Sequence, residues 1–284
     1  MDDVRLALLG DKSAQERLTD EGVLVMQGDC LELLKDIPDG SVDMVLTDPP
    51  YSSGGLFAGD RKASTRTKYC DSNFNGAARF QNFSGDNMDQ RSFTEFMRIV
   101  LSKCRKKASQ ESIAAVFVDW RNLPAMTDAL QWAGWVWRGI VVWDKGTSRN
   151  IPGRFRPDCE YIVWGTNGPK AVNWDPDSKA LAGCYHIKSV SAKKKNHQTE
   201  KPVELLEKLL EICSGSGTVL DCFMGSGSTG VACVNTGRKF IGMELDPGYF
   251  EVAKRRVEEA QAQARLAWNT RAPILTPEEL EGLK

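Results

Sequence analysis

Short apolar runs alternate along the chain with stretches of helical spacing. Val23-Leu24-Val25-Met26, set between glycines, has the pattern of a buried strand; Cys30-Leu31-Glu32-Leu33-Leu34-Lys35 has that of a helix stopped by Pro38-Asp39-Gly40. Val42 to Thr47 reads as a second strand, after which Pro49 and Pro50 force the chain out of the sheet, because prolines cannot continue a ladder. Residues 52–90 are rich in Gly, Ser, Asn and Arg with little periodicity, as in a functional loop or lid. A helix is predicted over 91–107, a strand from Ile113 to Val118, a helix near 122–132, and strands from Trp135 to Trp143 and from Tyr161 to Trp164. Residues 165–198 read as loop. Pro202 is predicted at the first position of a helix running to about Cys213, where its missing N–H costs nothing. A strand (Thr218 to Asp221), a glycine turn (Phe223 to Gly230), a helix to about Asn235, a strand (Phe240 to Glu244) and a long helix (Tyr249 to about Leu266) follow. Strands apolar on both faces and separated by helices specify an α/β protein with a single doubly wound, mostly parallel sheet. Trp132, Trp135, Trp137 and Trp143 are expected in its core.

Composition adds that 284 residues, 41% apolar and 26% charged, are globular in kind. One domain over 1–284 is expected, with basic insertions at about 52–90 and 146–198. The net charge of −1 conceals an asymmetry. Residues 1–60 carry 13 acids and 4 bases, residues 61–201 carry 24 bases and 13 acids, and the remainder 12 acids and 9 bases. A basic middle between acidic flanks points to a phosphate-bearing partner. The longest uncharged stretch, Cys222 to Gly237, is rich in Gly, Ser and Thr and too short to span a bilayer. The acidic start, Met1-Asp2-Asp3, lacks the order of a signal peptide. Eight cysteines without a C-x-x-C pair, and two histidines, argue against a disulfide framework or a metal site. A reduced, cytoplasmic protein is expected.

Two constellations carry chemistry. Gly225-Ser226-Gly227-Ser228-Thr229-Gly230 is a G-x-G-x-x-G turn between a predicted strand and helix, and Glu244 ends the next strand. Such a turn admits a ligand to the backbone and to free helix N–H groups, while the acid can hold ribose hydroxyls. Few residues follow Glu244, so the rest of the sheet must come from earlier in the chain, a circularly permuted order. Asp29, after the first strand, then becomes the carboxylate available to an adenine amino group. The second constellation is Asp48-Pro49-Pro50-Tyr51, at the carboxyl edge of a buried strand. Asp48 and the Pro49 carbonyl offer two acceptors to an exocyclic NH2 group, the prolines fix them, and Tyr51 offers a face to a nucleobase.

These residues resemble the DNA amino-methyltransferases of the N6-adenine/N4-cytosine class, in the permuted arrangement called the β group. Val42 to Tyr51 is similar to the catalytic motif of that family, Gly28-Asp29-Cys30 to the element before it, His197 to Leu205 to the motif preceding the cofactor loop, Asp221 to Gly227 to that loop, and Gly242 to Pro247 to the following acidic strand end. Val142 to Lys145 and Glu160-Tyr161 match more loosely, and Cys222 stands where a proline is common. The resemblance implies the S-adenosylmethionine-dependent methyltransferase fold and methyl transfer to N6 of a flipped-out adenine in a specific double-stranded DNA sequence. By the same resemblance the catalytic residues are Asp48, Pro49, Pro50 and Tyr51. The cofactor residues are Asp29, Cys30, Thr199, Lys201, Pro202, Asp221, Phe223, Gly225, Ser226, Gly227, Ser228, Thr229, Glu244 and Asp246. DNA contacts fall to Arg61, Lys62, Arg66 and Lys68, to Arg149, Arg154 and Arg156, and to Lys193, Lys194 and Lys195. N4-cytosine methylation and a non-catalytic DNA-binding protein of the same fold stay open, as do a homodimer and a companion restriction enzyme. Methylation of RNA or of a protein amide is disfavoured by the basic loop and motif order, and an NAD dehydrogenase rests on the glycine turn alone.

Overall fold

An eight-stranded sheet organises the residues that the computed structural model describes, namely 22–51, 88–146, 152–169, 180–190, 200–213 and 215–271. In chain order the elements are β1 (Val23–Gln27), α1 (Cys30–Leu33), β2 (Val42–Thr47), α2 (Gln90–Lys107), β3 (Ala108–Val118), α3 (Leu123–Trp132), β4 (Val136–Asp144), β5 (Cys159–Thr166), β6 (Cys184–His186), α4 (Val203–Leu210), β7 (Thr218–Asp221), α5 (Ser228–Asn235), β8 (Lys239–Glu244) and α6 (Pro247–Arg271). Across the sheet the order is β1-β8-β7-β2-β3-β5-β4-β6. The first five in that order are parallel; β5 alone runs against its neighbours. The sheet is therefore mixed but mostly parallel, as expected.

Strand alternation explains the two cores. Ala114, Val116 and Val118 of β3 and Val45 of β2 point to the face covered by α2 and α3. Ile113, Ala115 and Phe117, with Met44 and Leu46, point to the face that packs on Leu205, Leu206 and Leu209 of α4, Ala232 and Cys233 of α5 and Ala253 of α6. A strand buried on both faces has to be apolar at every position, which is why these runs are continuous.

Several expectations need correction. Pro202 is the N-cap of α4, one residue before the position predicted for it. The helix expected from Cys30 to Lys35 is a single turn ending at Leu33. β3 starts at Ala108: Val42 pairs with Ala108 but Met44 with Ile113, so polar residues bulge between, with Glu111 at φ 64°. Their polarity masked the start of the strand. The 165–198 loop contains β6, too short to show a period. Trp135 and Trp143 are buried, whereas Trp132 and Trp137 are 66% and 42% exposed. Among the described residues β6 pairs only with Val142 to Asp144, which leaves the part of β4 that carries Trp137 on the edge of the described sheet. Among the described residues no helix is long and apolar enough to cross a membrane.

Candidate active site

β2, β7 and β8 end on the same sheet edge, and the chain segments leaving them line one cavity of about 570 Å³. At one end are Gly28, Asp29 and Cys30, the loop from Phe223 to Ser226, and Glu244 to Pro247; at the other are Asp48 to Tyr51, Phe117 and Lys201.

The first end is fastened by backbone groups. Asp29 caps α1, its Oδ1 accepting from Leu31 N at 2.8 Å. Glu244 accepts from Gly225 N through Oε2 and from Asp246 N through Oε1, each at 2.8 Å. Asp246 in turn caps the start of α6 by accepting from Gly248 and Tyr249 N–H groups. Burial pushes the Glu244 carboxyl up to about 7, against the opposing pull of the Asp246 and Gly225 amides. Gly227 has to be a glycine: its φ is +82°, and a Cβ there would sit 3.0 Å from Ala253 of α6. Ser226 and Ser228 line the cavity, but their hydroxyls accept from Arg256 of α6, whose other nitrogen binds the buried Glu200 at 2.7 Å.

Asp221 joins the two ends. Its Oδ1 accepts from the Thr47 hydroxyl at 2.7 Å and from Phe223 N at 3.1 Å. Burial raises this carboxyl to about 6, with Thr47, Thr229 and Phe223 opposing.

The second end is built from buried charges. Lys201 Nζ donates to Asp48 Oδ2 and lies 3.3 Å from Glu160 Oε2. Glu160 also accepts from the Tyr51 hydroxyl at 2.9 Å and from Lys145 at 3.0 Å. The Lys201 ammonium is 5.1 Å from the ring centroids of both Tyr51 and Phe117. Asn122 Nδ2, ahead of α3, donates to the Tyr51 carbonyl. Asp48 Oδ1 is buried and has no hydrogen-bond partner among the described residues. Burial raises the Asp48 carboxyl above its ordinary value; Lys201 opposes this and Glu160 adds to it. For Glu160, Lys201 and Lys145 outweigh burial and draw it down to about 2.

Of the residues expected around a cofactor, Asp29, Cys30, Asp221, Phe223, Gly225, Ser226, Ser228, Thr229, Glu244 and Asp246 line the cavity. Pro202 and Gly227 lie outside its lining, and Lys201 belongs to the Asp48 end. Tyr51 was expected to present a ring face; its hydroxyl is tied to Glu160 as well. Thr199, Arg61, Lys62, Arg66, Lys68, Arg149, Lys193, Lys194 and Lys195 lie outside the described residues. Arg154 and Arg156 are exposed between β4 and β5, flanking the fully exposed Phe155. The sequence did not reveal Glu160 and Lys145 as partners of Asp48 and Tyr51, although both fall in its loosely matching segments. Glu200 falls in the motif preceding the cofactor loop but was given no role; Arg256, Asn122 and Phe117 gave no functional signal. Among the described residues no group of three His, Cys, Asp or Glu is placed to hold a metal.

Residues 42–255 match the family model N6_N4_Mtase, DNA methylase. The chain is 27% identical over 255 residues to the DNA adenine methyltransferase YhdJ of Escherichia coli K12, which covers 86% of this chain and 85% of that one. The crystal structure of the M1.HpyAVI–SAM complex aligns with a TM-score of 0.60 at 27% identity, over 83% of this chain and 98% of that one. PvuII DNA methyltransferase, cytosine-N4-specific, aligns with a TM-score of 0.61 over 87% of this chain and 95% of that one; at 17% identity the likeness is one of fold.

Proposed function

Since the chain belongs to the DNA methylase family of the N6-adenine and N4-cytosine type, we propose that it methylates N6 of an adenine flipped out of double-stranded DNA. The mixed sheet is that of the S-adenosylmethionine-dependent methyltransferases, and S-adenosylmethionine is the cofactor. The residues present fit it. An ionised carboxylate has about four acceptor positions, so Glu244, with two amides bound, retains capacity for two ribose hydroxyls. Asp29 stands for the adenine amino group, Phe223 and Leu245 supply apolar wall, and Asp221 and the Gly225 to Thr229 turn border the remainder. When bound, the cofactor supplies a methyl group already activated on sulfonium.

The observation that carries the reading is the Asp48 carboxylate: one oxygen is engaged by Lys201, and the other is buried and without a hydrogen-bond partner among the described residues. An exocyclic amine is a poor nucleophile because its lone pair is delocalised into the ring. Donation of its two N–H groups to Asp48 Oδ1 and the Pro49 carbonyl restores a usable lone pair, and Asp48 or solvent takes the proton that is shed. The rest is positioning. The base has to leave the duplex to reach this edge, and Tyr51 offers it a ring. The motif order, with Asp48 ahead of Gly225, fits the permuted β group. Within one domain over 1–284, the expected insertion at 146–198 needs narrowing, because β5 and β6 within it are strands of the sheet; the DNA contacts are assigned to the segments around these strands and to the stretch at about 52–90, with Arg154 and Arg156 among the phosphate contacts. The aspartate opening the motif and the likeness to YhdJ favour adenine. Digestion of product DNA and mass spectrometry of its nucleosides tests this: N6-methyladenine is expected, and N4-methylcytosine rejects the base assignment.

A further inference from the structure

Lys201 is the most buried cation of the site, its side chain 6% exposed, and its ammonium engages Asp48 and approaches Glu160. It enters just ahead of α4 and meets Asp48 from β2 and Glu160 from β5. Lys145, after β4, holds the other oxygen of Glu160 at 3.0 Å. Two carboxylates and two ammonium groups thus form a chain with no net charge, which makes its burial tolerable. Tyr51 donates to the Glu160 oxygen that Lys201 approaches, so the aromatic ring is set by the same pair. The ionisable groups facing Asp48 are Lys201, Glu160, the Tyr51 hydroxyl and, across the sheet edge, Asp221.

Left alone, Asp48 could rotate and present either oxygen, or neither, to a ligand. With Oδ2 engaged, the carboxylate is fixed, and Oδ1 is the oxygen left without a partner among the described residues. We propose that Lys201, itself held by Glu160 and Lys145, is the positioning residue of the methyl-accepting end: it engages one oxygen of Asp48 and leaves the other as the acceptor for the substrate amine. This rests on the reading of Asp48 as that acceptor. It moves Lys201 from the cofactor to the substrate side of the site. It also gives Lys201 a second consequence, because its charge opposes the rise that burial imposes on the Asp48 carboxyl. A protonated Asp48 has a weaker acceptor and no capacity for the proton of the amine. Glu160 acts with opposite sign on Asp48: it holds Lys201 in place, but its own charge disfavours a second ionised carboxylate nearby.

The test pairs two measurements on the full chain. The first is ¹³Cγ-aspartate NMR of the protein alone, with the Asp48 signal assigned by its loss in Asp48→Asn. In Lys201→Met the Asp48 carboxyl is expected to titrate at higher pH than in the wild type, in Lys201→Arg close to the wild type, and in Glu160→Gln no higher than the wild type. The double variant Lys201→Met/Glu160→Gln removes the ion pair together, guards against misfolding of the single variant, and should titrate above Glu160→Gln. The second measurement is the pH profile of single-turnover methyl transfer. For Lys201→Met the rate at pH 6 relative to pH 8 should fall at least about tenfold below the wild-type ratio, while S-adenosylmethionine affinity stays within about twofold. An unmoved Asp48 titration overturns the proposal, as does a loss of cofactor affinity equal to the loss of rate. If the titration moves as expected while the wild type methylates no DNA, the proposed function fails and the charge network stands.

Discussion

The two ends of the cavity are assembled in opposite ways. At the cofactor end, carboxylates accept from backbone amides, mostly two or three residues away: Asp29 from Leu31, Asp246 from Gly248 and Tyr249, Glu244 from Asp246 and, across the β7–β8 edge, from Gly225. At the Asp48 end, side chains meet side chains from distant elements, Lys201 on Asp48 and Tyr51 on Glu160. Backbone amides fasten the first end, although burial still raises its Glu244 carboxyl to about 7. The second end concentrates charge in a buried place, where removal of one partner strands another. The difference suits the chemistry proposed for the two ends. A cofactor has to be held in one pose, whereas an amine has to be polarised.

If the ends are separable, their variants should separate too. The largest effect is expected from Asp48→Ala, with methyl transfer falling about 100- to 1000-fold or more and S-adenosylmethionine binding by calorimetry nearly intact. Near-normal turnover would break the assignment of the Asp48 end. Glu244→Ala should do the converse, weakening the cofactor by about 1.5–3 kcal/mol while the rate at saturating cofactor stays close to wild type. A rate loss that saturation does not restore would mean the two ends act as one.

That contrast also decides what the sequence disclosed. The cofactor end was legible because its contacts are local: an aspartate before a helical turn, and a glycine turn followed by an acid at a strand end. The charge network was not legible, since no spacing relates Lys201 to Asp48; only the packing of α4 beneath β2 and the antiparallel β3–β5 pairing bring Lys201 and Glu160 to that edge. The two-faced apolar runs gave the sheet correctly. The misplaced tryptophans show the limit of residue type as a guide, because Trp132 and Trp137 are apolar side chains on an edge strand and a helix end. There Arg98 lies 5.1 Å from the Trp132 ring, a contact with no sequence signature.

Smaller effects sharpen the boundary between the ends, which Asp221 occupies. Thr47→Val removes one hydrogen bond to Asp221 and leaves that from Phe223, so a loss of about 0.5–1.5 kcal/mol in thermal or denaturant unfolding is expected. A cost well above this would show that Asp221 ties the two halves more tightly than one bond implies. A further effect is one of pH. Burial raises Glu244 to about 7, so the folded protein retains a proton that the unfolded chain has lost. Its contribution to stability is therefore present at low pH and is lost as pH rises from the ordinary carboxyl range through about 7. The wild type should lose stability relative to Glu244→Gln over that interval, measured by urea midpoints at pH 5 and pH 7.5. A difference that grows in the other direction would mean the amides, and not burial, dominate at that carboxylate.

The sheet order bears finally on how such a chain is made. Val23 of β1 has its partner in Phe240 of β8, and Met44 of β2 in Val219 of β7. A ribosome adding about 5–20 residues per second leaves β1 without that neighbour for roughly 10–40 s. Parallel pairing over such separations is slow to form. During this interval Val42 to Thr47, an apolar run with an uncovered edge, is available to other chains. Nascent material should therefore depend on chaperones that cover apolar segments far more than the finished protein does.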